Sequence, residues 1–226
     1  MDELLASGIW QSGLFNDMYL YWQSSLMQAE GGMDHIPRAF ENNLGPNTRI
    51  ELNKKAVGIS RTPEKIYVKH SGSDKHLAAD YCISTMAPTM LSKLLDDSFS
   101  PDFTAALANV FMVPACKVGW QAKSRFWEDE NEIYGGISWT EHAIRQIWYP
   151  SYGFHSPKGV LTGAYVLGQT ARTFGLLSHK ERLNTAIEGG EKLHPGLFKK
   201  NVEKGVSIAW QNMPGQAGGW AYYKNQ

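Results

Sequence analysis

The hydrophobic periodicity changes along the chain, and that change limits the folds open to it. Residues 1–29 place Leu4, Leu5, Trp10, Leu14, Met18, Tyr21, Trp22 and Leu26 mostly three or four positions apart. That is the spacing of an amphipathic helix, interrupted near Gly8 and Gly13. Residues 31–37 break the pattern, and Asp34 predicts the N-cap of a short helix running through Arg38, Phe40 and Leu44 to Gly45-Pro46. From there the period shortens to two. Residues 49–60 and 65–70 read as strands, and residues 77–84 as a strand whose Asp80–Ser84 half is more buried, a small β-meander followed by an inner strand. Helical spacing first and strand spacing after it favour an α+β fold.

The second half continues in the same style. Residues 89–95 read as a helix opened by Ala87-Pro88, residues 103–113 as an apolar stretch, and residues 115–123 as a strand. Strand-like pieces follow at 136–140, 144–149, 160–168 and 206–210, with helices at 170–177 and 180–194. Ser178, with Glu181 three residues on, has the form of a capping box for the second of these. Residues 213–223 form a Gly/Pro-rich loop that ends in aromatics.

Composition excludes several functions. Lys+Arg and Asp+Glu are equal at 22 each in 226 residues, so there is no electrostatic footprint for nucleic acid or for an anionic membrane. No apolar run approaches the roughly 18–20 residues that span a bilayer. Met1-Asp2-Glu3 is acidic, unlike the start of a secretory signal. Two cysteines cannot build a disulfide framework, and the seven scattered histidines show no metal-ligand spacing, so no metal is expected. GxGxxG, GxxxxGK[ST] and GxSxG are all absent, which removes phosphate cradles and nucleophile elbows from the chain. The carboxylates Glu128, Asp129, Glu130 and Glu132 read as one solvated turn.

Lys117 is the unusual residue. It interrupts the apolar run from Val113 to Trp120. A buried lysine loses its proton readily and serves as a base or holds a water. Alternatively, Lys117 faces solvent from an edge strand. The aromatic load from Trp120 to Tyr223 is heavy. Most of it belongs to packing, and a few members could wall a pocket for a planar group.

Four segments in order resemble the flavin-dependent amine oxidase superfamily, especially its L-amino acid oxidases. They are Glu30 to Arg38; Lys117 followed by Phe126-Trp127-Glu128-Asp129; Gly135 to Thr140 leading into Arg145-Gln146-Ile147-Trp148-Tyr149-Pro150; and Gly159 to Tyr165, leading to Trp210 and Gly218-Gly219-Trp220-Ala221. The resemblance implies a helical segment of the substrate domain at 1–30, part of an FAD-binding domain (β-meander and inner strand) at 31–110, and a substrate-binding domain with a mixed sheet at 111–226. The family's dinucleotide motif and its flavin-closing segment have no counterpart here. The resemblance therefore implies a processed chain or piece of a larger enzyme, working with companion chains or as a homo-oligomer.

By the same resemblance, Lys117 matches the lysine that holds a water against the flavin N5. Tyr165 matches the tyrosine that binds the substrate carboxylate, and Trp148 and Trp220 are aromatics beside the substrate. Ala56, Gly219 and Ala221 match cofactor-contacting positions. Monoamine oxidases place a cage tyrosine where Ala221 stands, so Ala221 together with Tyr165 favours an amino acid over a simple amine. The implied reaction converts an L-amino acid and O2 to a 2-oxo acid, ammonia and hydrogen peroxide on FAD. An amine or polyamine oxidase, an amino-acid 2-monooxygenase and a non-catalytic interaction module stand as alternatives.

Overall fold

The structure, a computed structural model, describes residues 28–223. The chain forms two compact units, Met1–Asn53 and Lys54–Gln226. The expected helix at 1–29 falls on residues almost wholly outside those described. In the first unit, helix α1 spans His35–Asn42. Asp34 occupies its N-cap position but makes no side-chain cap; its carboxylate pairs with Arg38 one turn on, at 3.0 Å. The helix ends at Asn43, whose side-chain amide donates to Ala39 O at 2.7 Å, one residue short of the predicted Leu44. The strand expected from residue 49 does not form there. Ile50 and Leu52 are exposed, and an alternating pattern without a neighbouring strand leaves its backbone groups to water.

The second unit opens with a three-stranded antiparallel meander, β1 (Ala56–Arg61), β2 (Ile66–His70) and β3 (His76–Ala79). The β1–β2 ladder shifts register between Ala56 and Gly58, a bulge at Val57. The more buried strand expected at Asp80–Ser84 is corrected: Tyr81 and Ile83 are 89% and 93% exposed. Among the described residues no strand lies beside that segment, so its β-branched and aromatic residues find no second layer. Helix α2 (Pro88–Leu91) is shorter than the sequence predicts. The apolar stretch after it divides into α3 (Pro101–Ala108), capped by the Ser100 hydroxyl, and β4 (Phe111–Val113).

The core lies further on. After Pro114 come β5 (Ala115–Ala122), α4 (Phe126–Asp129), β6 (Ile137–Trp139), β7 (Gln146–Trp148) and β8 (Gly159–Leu167). Helices α5 (Gly168–Leu176), α6 (His179–Leu193) and α7 (Phe198–Asn201) precede β9 (Val202–Ala209), a single 3-10 turn at Trp210–Asn212, and β10 (Trp220–Tyr222). The sheet runs β6-β7-β8-β5-β9, antiparallel throughout, so β5 is an inner strand. Cys116, Val118, Trp120 and Ala122 alternate onto one face of β5 and are buried with Phe174, Ala186 and Phe198 of the helices. Gly163, in the β5–β8 bulge, makes room for this face: a Cβ there would lie 2.5 Å from Trp120. The predicted capping box on α6 is present, with Ser178 Oγ accepting from Glu181 N and the Glu181 carboxylate accepting from Ser178 N. Among the described residues, no helix is long and apolar enough to cross a membrane.

The acidic turn is also corrected. Glu128 is 2% exposed. One of its oxygens accepts from Arg125 Nε at 2.6 Å, and the other from His155 N at 2.9 Å, while Arg125 also donates to Tyr152 O at 2.9 Å. The pair ties α4 to the 152–155 loop, and the Arg125 guanidinium lowers the Glu128 pKa below the usual carboxylate value. A second polar group is buried nearby. The Tyr149 hydroxyl lies 2.6 Å from His194 Nε2, and His194 Nδ1 lies 2.8 Å from Asn131 Oδ1. A neutral imidazole satisfies both contacts, donating from Nδ1 and accepting at Nε2.

Two predictions follow from these groups. Glu128→Gln leaves Arg125 buried beside a neutral partner and costs roughly 3–5 kcal/mol, to be read from denaturant unfolding. Because the native pKa of Glu128 is depressed, the wild-type pair stabilises the fold fully above the ordinary carboxylate pKa and loses that effect as pH falls below it. Burial lowers the His194 pKa, so the unfolded chain takes up a proton that the folded ring refuses. The thermal midpoint should drop as pH falls below about 6.5, and His194→Gln should flatten part of that slope.

Candidate functional site

The face of the sheet opposite the helices is open, and β5 dictates what it carries. Alternation along β5 turns Lys117 out between the buried Cys116 and Val118. Lys117 is therefore neither buried nor on an edge strand: its side chain is exposed from an inner strand, paired to Tyr165 of β8 and Ile208 of β9. Directly opposed side chains in an antiparallel ladder stand close together. The Lys117 ammonium sits 4.5 Å from the centroid of the half-buried Tyr165 ring, a cation–π contact. On β7, the Trp148 ring lies 5.6 Å from Tyr165, tilted at 60°. Trp148 is in turn oriented by its indole N–H, which donates to Gln146 Oε1 at 2.7 Å. Three of the predicted site residues, Lys117, Tyr165 and Trp148, thus form one continuous row of side chains across β5, β8 and β7.

The Gly218–Ala221 segment approaches the same end of β5. Strand β10 pairs with β4, Trp220 opposite Val113 and Ala221 opposite Met112. Gly219 N–H donates to Val113 O at 2.8 Å. A Cβ on Gly219 would fall 2.7 Å from the Ala115 Cβ, and one on Gly218 would fall 2.8 Å from Val113 O. Two glycines are therefore required to bring this ribbon within two residues of Lys117. Trp220 and Ala221 are exposed. Ala56 lies in the separate three-stranded meander, at the bulge of β1 opposite His70; the structure does not bring it into the Lys117 row.

One residue escaped the sequence reading. Gln211, in the 3-10 turn, accepts from Ala115 N at 3.2 Å through Oε1 and donates to Ala171 O at 2.8 Å through Nε2. It fastens the start of β5, and with it Lys117, to α5. A lone glutamine between a strand and a Gly/Pro-rich loop carries no signal of such a role.

An exposed ammonium on a flat, aromatic face, beside a Gly-Gly-aromatic ribbon, is suited in kind to a planar redox cofactor. The residues present fit such a group: Lys117 offers a donor, and the glycine pair lets the ribbon lie close against the sheet. The chain belongs to the flavin containing amine oxidoreductase family, whose model matches residues 10–224; FAD is the cofactor of that family.

Among curated relatives, the flavin-dependent L-tryptophan oxidase RebO of Lentzea aerocolonigenes is 26% identical over 82% of this chain and 39% of its own length. The L-amino-acid oxidase of Gloydius halys is 29% identical over 79% of this chain and 35% of its own length. That of Mus musculus is 31% identical over 84% and 30%. The chain thus spans well under half the length of these relatives. Solved structures agree on the fold. Putrescine oxidase bound to putrescine superimposes with a TM-score of 0.70 at 18% identity, covering 85% of this chain and 42% of that one. Cyclohexylamine oxidase from Brevibacterium oxydans gives 0.71 at 14% identity, over the same shares.

The glycine pair can be tested directly. Gly219→Val should part β10 from the start of β5 and destabilise the fold by roughly 1–3 kcal/mol, the range for overpacking. Gly215→Val, where no atom lies within 4 Å of the added Cβ, makes a poor control because its φ is +79°; Gly45→Ala, in open space at ordinary φ, should change the unfolding midpoint little.

Proposed function

We propose that this chain forms part of an FAD-dependent enzyme that oxidatively deaminates an L-amino acid, giving a 2-oxo acid, ammonia and hydrogen peroxide at the expense of O2 and water. The observation that carries the reading is the row of Lys117, Tyr165 and Trp148 on the open sheet face, beside Gly219. The tryptophan and L-amino-acid oxidases among the relatives support it.

FAD, when bound, would supply a two-electron acceptor for the hydride from the substrate Cα, with O2 as the terminal oxidant. Gly219 and Ala221 would hold it on the ribbon and Ala56 on the meander. The chain's own residues bind and orient. Tyr165 offers a hydroxyl to the substrate carboxylate, while Lys117 keeps its ring in place from one side and Trp148 from another. The Lys117 ammonium also holds a water on this face. Trp148 and Trp220 present apolar surface to the substrate side chain, which fits an apolar or aromatic amino acid. Alignment of Cα–H and exclusion of bulk water are the protein's share of the rate. Companion chains or a second copy would complete the enclosure.

The test uses the enzyme assembled with its remaining segments, supplied with L-amino acids and with the corresponding amines. Equal amounts of 2-oxo acid and peroxide from L-amino acids support the reading. Peroxide from amines alone identifies an amine oxidase, and carbon dioxide with an amide identifies a monooxygenase. Absence of flavin binding in the assembled protein rejects all of these. Lys117→Met, which removes the donor that would hold the water, should lower kcat about 100-fold, the scale of one lost hydrogen-bond donor at a reacting centre. Its unfolding free energy should change by only about 0.5–1 kcal/mol, the worth of an exposed cation–π contact.

A further inference from the structure

The tip of the β6–β7 hairpin rests on α6 through a histidine that the site does not use. His142 packs against Gly189: a Cβ there would lie 2.5 Å from His142 Nδ1 and 2.7 Å from Ile144 Cδ1. Ile144 is fully buried, and its carbonyl accepts from Tyr165 N–H at 3.2 Å, so the base of the hairpin is tied to β8. The tip closes mostly on itself. His142 N–H donates to Thr140 Oγ1 at 3.1 Å, Arg145 N–H donates to His142 O at 2.9 Å, and Thr140 N–H donates to Arg145 O at 2.9 Å. Arg145 sits at a φ of +59°, a left-handed conformation that costs free energy for a residue with a side chain and persists only while its surroundings enforce it.

The docked His142 ring lacks a polar partner at one nitrogen. Its Nδ1 is shut off from solvent and makes no hydrogen bond among the described residues. A neutral ring meets this as the tautomer that carries its proton on Nε2. A protonated ring must place an N–H at Nδ1, and an enclosed donor without an acceptor is costly. Burial first, and the Lys192 ammonium second, lower the His142 pKa, while the Glu188 carboxylate acts against them. Both charges are exposed on α6. On the hairpin itself Glu141 and Arg145 flank the ring, and the Arg145 guanidinium is turned to α5, where Nη2 donates to Thr170 Oγ1 at 3.3 Å. Arg145 and Thr170 line a cavity of about 340 Å³ together with Trp139, Tyr165 and Leu167. Trp139, the last residue of β6, is joined to the tip through Thr140.

We propose that His142 is a proton-operated latch on this hairpin. Neutral, the ring holds the tip on α6. Protonated, it leaves the seat at Gly189, because the new N–H finds an acceptor only outside it, in water or at the Glu188 carboxylate. Trp139 moves with the tip, and the cavity lined by Trp139 and Arg145 changes shape. Since the seat disfavours the charged ring, docking is complete above about pH 6.5, the ordinary imidazole value, and is lost as pH falls below it. The latch is a property of the chain and holds whatever reaction the open face supports.

Nuclear magnetic resonance on the full chain, titrated between about pH 8 and about pH 5, tests this. The His142 ring and the amides of Thr140, Glu141 and Ala143 should shift together with one midpoint below about 6.5. Over the same range the Arg145 amide should exchange about tenfold faster than the change in intrinsic rate explains, while Val118 and Ala164 in the core stay protected. Two exposed substitutions on α6 should move that midpoint in opposite directions by a few tenths of a pH unit. Lys192→Gln raises it and Glu188→Gln lowers it, and added salt shrinks both effects. His142→Gln should leave the tip without a pH response, whereas His194→Gln should leave the tip's titration as it is in the wild type. Tip amides that stay still while the His142 ring titrates overturn the latch. So does an unchanged tip titration in His142→Gln, or a midpoint that both α6 substitutions leave in place or shift the same way.

Discussion

Everything at the candidate site hangs on the register of β5 between β8 and β9. The strand is two-faced because both its neighbours are strands and only one of its faces meets helices. Pairing Lys117 with Tyr165 puts Cys116, Val118 and Trp120 into the core and the ammonium outside it. A slip of one residue would drive the charge into the apolar layer and bring three core side chains out, so burial on one side enforces chemistry on the other. The bulge after Val118 then resets the pairing, so that Gly119 faces Thr162 and the indole of Trp120 gains the space left by Gly163.

Polar groups in the core act as fasteners for the loops that frame this face. Arg125 and Glu128 are both buried, and each also holds the 152–155 loop by a backbone contact. Tyr149, His194 and Asn131 link β7, the end of α6 and the loop after α4. Gln211 does the same for the start of β5. A buried polar group is tolerated when its hydrogen bonds are made, and here all of them but the Arg125–Glu128 pair itself join segments distant in sequence. The open face, by contrast, keeps Trp139, Trp148 and Val206 exposed. Apolar exposure on that scale suits a surface that meets a ligand or another part of a larger enzyme.

The strands and helices with strong local signals were legible in the sequence. The α6 capping box, the β5 and β8 periodicities and the antiparallel meander all follow from spacing and turn chemistry within about ten residues. The failures share a cause. Residues 49–55 and 80–84 alternate correctly but have no neighbouring strand among the described residues, and Glu128 reads as solvated because its neighbours in sequence are acidic. Whether a segment pairs, and whether a carboxylate is buried, depends on contacts that composition does not encode.

Lys117, Tyr165, Trp148 and Gly219 were marked in the sequence by resemblance to amine oxidases, and the chemistry of each residue type was plain from the start. Only the tertiary structure decided that Lys117 stands exposed on an inner strand over the Tyr165 ring, that two glycines carry the aromatic ribbon up to Ala115, and that Arg145 reaches Thr170 across a cavity. The sequence determined the periodicity, because side-chain alternation and helix caps are local. The assembly of the site depended on cross-strand register and close packing, which join residues from about 20 to about 100 positions apart and exist only once the chain has folded.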